Sequence, residues 1–177
     1  MAESVRSTVS IRRVALPRFE ARKLVKQGDQ LYNRRDYRGA IARYDEAISI
    51  APNFAQAYYM RGYSHYHLNE FNQSLTDFNQ AESNGFDKPL DIYKVRWYLN
   101  FQAKNYDAAL SDVQQGLKLE PGFYYNKALG DVYSAKNDWQ NALAAYQTAV
   151  QLDPNNGDVY YSIALASYNT GDTKTQE

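Results

Sequence analysis

Apolar residues fall on one face at helical spacing along most of the chain. Tyr37, Ala40, Ile41, Tyr44, Ala47 and Ile48 stand at i, i+3, i+4, i+7, i+10 and i+11, which traces one side of an α-helix. Short polar breaks (RRD, LNE, AKN and KND) interrupt the pattern, and Pro52, Pro121 and Pro154 close it. Asp, Asn and Gly favour turn conformations, and Pro cannot continue a helix, so these points read as stops. The pattern predicts helices in pairs, with a tight turn inside each pair and a longer joint after it.

The same pattern returns along the chain. DYRGAIARYDEAISIAP from Asp36 matches DWQNALAAYQTAVQLDP from Asp138, and weaker copies begin at Glu70 and Asn105. One series is Gly28, Gly62, Trp97, Gly130 and Ala164, spaced by 34, 35, 33 and 34 residues. The series Tyr37, Phe71, Tyr106, Trp139, then Ala40, Ser74, Ala109, Ala142, and then Tyr44, Phe78, Val113, Tyr146 shift by the same insertion and deletion. Gly28, Gly62 and Gly130 are expected to face Ala40, Ser74 and Ala142 so that two backbones approach. Tyr44, Phe78 and Tyr146 are then expected to fill the gap where the helices splay. A hairpin with one apolar face cannot bury it alone and must stack on neighbours.

These residues resemble the tetratricopeptide repeat, a 34-residue unit with small residues at positions 8, 20 and 27, aromatics near 4, 11, 17 and 24, and Pro at 32. The resemblance covers about residues 21–170. It implies an all-α fold, a right-handed α-solenoid of stacked antiparallel helix pairs. Counting from Ala21 gives repeats at 21–54, 55–89, 90–122 and 123–156, with a partial fifth at 157–170. Residues 1–20 are set apart as an N-terminal leader expected to be flexible or extended, and 171–177 as a C-terminal tail or truncated helix. Departures are Trp97 where Gly is usual, Gly116 where Ala is usual, and NGFDKP in place of a plain Pro.

The resemblance also implies a site. The first helix of each pair lines a concave groove through positions 2, 5, 6, 9, 12 and 13 of the repeat. The candidate groove residues are Tyr32, Tyr59, Tyr63, Tyr66, Lys94, Tyr98, Phe101, Tyr124, Lys127 and Tyr161, and the fragmentary fifth repeat adds Asp158, Ser162, Leu165, Tyr168 and Asn169 to the lining. Tyr59, Tyr63, Tyr66, Tyr98 and Phe101 are expected to cluster on one wall. Tyrosine offers a large apolar area with few rotors to freeze and a hydroxyl for the partner's backbone; packing between repeats is the competing use of the same rings. The clamp with which some relatives hold a chaperone's C-terminal carboxylate needs Lys, Asn and Arg at set places. Here Val25 and Asp29, then Met60, then Asp91 and Val95 stand in the first three-repeat window, so that partner is not expected. The implied function is a non-catalytic protein–protein interaction scaffold binding an extended or helical peptide segment. The alternatives are a regulatory or substrate-recruiting arm of a larger enzyme, and a self-assembly module that forms a homo-oligomer.

Composition narrows the partner and the chemistry. The 177 residues balance 20 Lys and Arg against 20 Asp and Glu, which gives no electrostatic reason to expect nucleic acid. No apolar run is long enough for membrane insertion, and the absence of cysteine excludes disulfides and thiolate sites. Aromatics reach 15%, with 17 Tyr, more phenols than a core requires. His65 and His67 are two apart on a helix and point to different faces, so no metal site is expected. Asp45 with Glu46, and Asp107 with Asp112, read as solvated helix faces, and no cofactor or catalytic motif is found. The leader, rich in Ser and Arg and poor in acids, weakly resembles a transit peptide, or could lie as a ligand in its own or a neighbouring groove. Otherwise a cytoplasmic location is expected.

Overall fold

The computed structural model describes the backbone of residues 2–171 and the side chains of residues 17–171. The described residues form nine α-helices and no strands: α1 Ala2–Asn33, α2 Tyr37–Ile50, α3 Ala55–His67, α4 Phe71–Ser83, α5 Pro89–Gln102, α6 Tyr106–Leu119, α7 Phe123–Ala135, α8 Trp139–Leu152 and α9 Gly157–Thr170. The chain is therefore an all-α repeat fold. The tail expected beyond Gly171 lies outside the described residues.

The four tight turns share one construction. Arg35, Asn69, Lys104 and Asn137 all adopt the left-handed conformation, with φ of 63°, 60°, 61° and 59°. The next amide in each turn reaches back five residues: Asp36 N–H donates to Leu31, Glu70 to His65, Asn105 to Asn100 and Asp138 to Tyr133. This is the left-handed close of a helix, in which one reversed residue lets the following amide satisfy a carbonyl of the last turn. The same residue then starts the second helix. Asp36 accepts from the Gly39 amide at 2.9 Å and Asp138 from the Asn141 amide at 3.4 Å, each satisfying an amide with no partner inside the helix.

α1 is helical from Ala2 and runs 32 residues to Asn33, through the residues set apart above as a leader. Residues 2–16 contain no Gly or Pro, so nothing in the sequence breaks the helix. The single Pro17 inside it forfeits one backbone bond without ending it.

The contacts divide the chain into residues 1–89, with α1 to α4, and residues 90–177, with α5 to α9. In the first unit α1 packs on α2, α2 on α3 and α3 on α4. Its core joins Ala21, Val25, Ala40, Tyr44, Ala47, Ala51 and Ala57. In the second unit Trp97 of α5 shares a cluster with Val113 of α6 and Tyr125, Ala128 and Val132 of α7. A further cluster joins Ala142, Tyr146 and Ala149 of α8 to Val159 and Ala166 of α9.

The glycines lie against the rings expected to fill the gap beside them. A Cβ on Gly28 would meet the Tyr44 ring at 2.5 Å, one on Gly62 the Phe78 ring at 3.1 Å, and one on Gly130 would strike Tyr146. Each glycine is roofed by the position-24 ring, which lies flat on the bare backbone, and its nearest neighbour is not the small residue at position 20. This contact accounts for the third repeat. Trp97 replaces the glycine and Val113 replaces the ring, and both are buried in one cluster. The large side chain thus moves from position 24 to position 8 in this repeat. Gly116 follows the same logic, because a Cβ there would overlap the Tyr125 ring.

The reading of Asp112 is corrected by the structure. It is 3% exposed, not solvated. The Arg96 guanidinium grips it, with Nε 2.9 Å from Oδ2 and Nη2 2.6 Å from Oδ1. Arg61 holds Asp77 at the same repeat positions, with Nε to Oδ2 at 2.9 Å, and also reaches Asp45 at 2.5 Å. Burial lowers the Arg61 pKa, but the two carboxylates outweigh it and leave the guanidinium above its ordinary value.

Candidate functional site

In the first unit the candidate rings fall into two linked groups. Tyr59 stacks on Phe86 at 4.1 Å between centroids, meets Tyr63 edge-on at 5.0 Å, and Tyr63 meets Phe78 at 5.2 Å. Tyr32 meets Tyr37 and His67 edge-on at 5.4 and 5.5 Å, and Tyr66 meets His67 at 5.7 Å. His67 also stacks on Tyr37 at 4.6 Å, and its Nε2 lies 2.8 Å from the Tyr32 hydroxyl. Burial raises the Tyr32 pKa, with Tyr37 and Tyr63 adding to it. Tyr32, Tyr59, Tyr63 and Tyr66 are half-buried, so part of each face packs and part remains open. Phe86 borders an open cleft of about 250 Å³ that also touches Arg18, Phe54, Gln56 and Asn84.

In the second unit the rings gather around Trp97. Tyr98, Phe101 and Tyr124 lie 6.0, 6.1 and 6.1 Å from it. Trp97 Nε1 donates to the Tyr124 hydroxyl at 2.8 Å, and that hydroxyl donates to the Lys94 carbonyl at 3.2 Å. Tyr98 and Tyr124 keep 44% and 47% of their surface exposed, and Tyr161 keeps 72%. The two candidate lysines are ion-paired: Lys94 with Glu120 and Lys127 with Asp131, both at 2.8 Å.

Polar pairs tie the first helix of a repeat to the second. The Tyr44 hydroxyl donates to Asp29 at 2.8 Å, and the Tyr146 hydroxyl donates to Asp131 at 3.0 Å. Both pairs occupy positions 24 and 9 of their repeats. Burial pushes Tyr146 well above the ordinary phenol range, and the Asp131 charge adds to it. His65 is tied to Glu70 at 2.6 Å. Among the described residues no cluster of His, Asp and Glu is arranged to hold a metal ion.

The structure thus brings Tyr59 together with Tyr63, Tyr32 with Tyr66 through His67, and Tyr98, Phe101 and Tyr124 around Trp97. Tyr161 stands outside these clusters. Leu165 and Tyr168 entered the sequence reading only as lining of the fragmentary fifth repeat. They are 42% and 73% exposed and share α9 with Tyr161, and their register positions carried the signal. Phe86 was missed. It lies in the departure NGFDKP, whose irregularity gave no hint that its Phe would stack on Tyr59.

A TPR repeat family model matches residues 28–69 and 130–171. No curated protein matches the chain by sequence. Among solved structures, YrrB, described as a TPR protein with an unusual peptide-binding site, aligns with a TM-score of 0.78 at 17% identity, over 85% of this chain and 78% of its own. The MamA protein aligns with a TM-score of 0.78 at 21% identity, over 87% and 84%. MamA 41-end from Desulfovibrio magneticus RS-1 aligns with 0.75 at 18%, over 88% of each chain. At these identities the likeness is one of fold. No helix among the described residues is long and apolar enough to cross a membrane. With the repeat model matched at both ends of the array and the fold held in common with these structures, the chain carries tetratricopeptide repeats.

Proposed function

We propose that the chain is a non-catalytic protein–protein interaction scaffold that holds an extended or helical segment of a partner against the aromatic faces of its first helices. One observation carries this reading. Tyr98, Tyr124, Tyr161, Leu165 and Tyr168 are large, apolar and more than two-fifths exposed, and all five occupy positions 2, 5, 9 or 12 of their repeats. Open apolar surface is costly to leave in water, and five such residues at lining positions of the first helices favour a binding role for that face. The peptide-binding description of YrrB supports the same use of the fold.

The test is affinity capture with mass spectrometry, comparing wild type with a Tyr98→Ala, Tyr161→Ala double variant. Tyr161 is 72% exposed and Tyr98 meets Trp97 only edge-on at 6.0 Å, so circular dichroism is expected to show an unchanged fold. Tyr59 and Tyr63 are poorer choices because both pack on Phe78. Partners held by wild type and lost by the folded variant support the reading. Equal capture by both sinks it, and a mass that rises with concentration while no partner is captured points to self-association.

A further inference from the structure

The first helices carry different charges at one register. Position 2 is Arg22, Gln56, Asp91, Tyr124 and Asp158 in turn. The two units divide charge the same way: residues 1–89 hold thirteen Lys and Arg against ten Asp and Glu, and residues 90–177 hold seven against ten. In the second unit both inner-register lysines are neutralised, Lys94 by Glu120 and Lys127 by Asp131. Asp158 has no cation beside it among the described residues. It is exposed in the first turn of α9, where the helix dipole alone suits a carboxylate. The dipole does not account for the open apolar residues further along the same face. Tyr161, Leu165 and Tyr168 come at i+3, i+7 and i+10 from Asp158, exposed by 72%, 42% and 73%.

We propose that this stripe of α9 takes a partner segment that carries an arginine beside an apolar residue. The guanidinium would lie against the Asp158 carboxylate and the Tyr161 ring, with the apolar side chain over Leu165 and Tyr168. This rests on the binding role given to the first helices and names the class of ligand. Arginine suits the place because its planar fork pairs with a carboxylate while its face stacks on an aromatic ring. An acidic segment would instead approach a unit of net negative charge and gain no counter-charge there.

Fluorescence anisotropy on the full chain tests this, with fluorescein-labelled dodecapeptide pools each fixed at one position as Arg, Lys, Glu, Leu or Ser. Arg-fixed pools are expected to bind more tightly than Glu-fixed pools, with a gap that shrinks on adding salt. Asp158→Asn is expected to weaken Arg pools about three- to fivefold, the scale of an exposed charge pair, and to leave Leu pools unchanged, with only the small fall in melting temperature that loss of the dipole interaction brings. Asp158→Glu restores the Arg preference. Equal binding by Arg and Glu pools, or an Arg preference untouched by Asp158→Asn, overturns the inference. Tyr161→Ala separates the two readings. If it abolishes binding while Asp158→Asn does nothing, the aromatic face stands and the charge assignment falls. If no pool binds wild type, both fall.

Discussion

Trp97 and Val113 show how one contact fixes two residues. Wherever position 8 is glycine, position 24 is a ring laid on it; where position 8 is Trp97, position 24 shrinks to valine. Removing a buried Trp side chain costs about 3–5 kcal/mol, and forcing an oversized side chain into a packed core costs roughly 1–3 kcal/mol. Trp97→Gly and Val113→Tyr are each expected to destabilise by amounts of that order. Together they should cost clearly less than their sum, which a double-mutant cycle in urea would measure; strict additivity would refute the exchange. Tyr125 makes a second case. Its hydroxyl is buried with no hydrogen-bond partner among the described residues, and burial pushes its pKa up. Leaving such a group unsatisfied costs about 1–3 kcal/mol. Tyr125→Phe keeps the ring over Gly116 and is expected to raise stability by about 1 kcal/mol.

At the scale of the helix pair, the recurring device is the reversed residue between first and second helix. Asn tolerates that conformation, and Asn69 and Asn137 occupy two of the four turns. Arg35 and Lys104 occupy the others, where the Cβ meets the same carbonyl without the local hydrogen bond that a short amide side chain can make. Lys104→Asn is expected to stabilise the chain by roughly 0.5 kcal/mol, whereas Asn137→Lys should cost a similar amount, both read from urea midpoints. A fall in stability with Lys104→Asn would mean that the lysine side chain contributes more than its backbone costs. The hairpin helices themselves were legible in the sequence, because the 3.6-residue period and the turn residues agree at every unit. The start of α1 was not legible. The repeat pattern begins at Ala21, and a helix that extends past its repeat leaves no mark in a repeat register.

For the molecule as a whole, Asp29 links the α1–α2 contact to pH. Burial holds its carboxyl above the usual range, and the Tyr44 hydrogen bond opposes this in part. The folded chain therefore binds that proton more tightly than the unfolded chain. Its contribution to stability grows as pH falls through the raised folded value and is complete below the ordinary carboxylate value; at neutral pH the ionised group is a cost. Asp29→Asn keeps an acceptor for Tyr44 and removes the titration. The variant is expected to melt higher than wild type near pH ~7, with the advantage shrinking toward pH ~4. An advantage constant across that range would place its origin elsewhere.

The sequence by itself determined the helical hairpins, their register and the kind of repeat they build. These arise from periodicity and turn chemistry, which are local and repeat often enough to check one another. Only the tertiary structure decided how each candidate side chain is used. Tyr59 and Tyr63 pack on neighbouring rings, Lys94 and Lys127 close ion pairs, Asp112 is buried in the grip of Arg96, and Tyr161, Leu165 and Tyr168 stay open. A register position says which way a residue points; which atoms meet it there depends on residues from other helices, and no local pattern contains those.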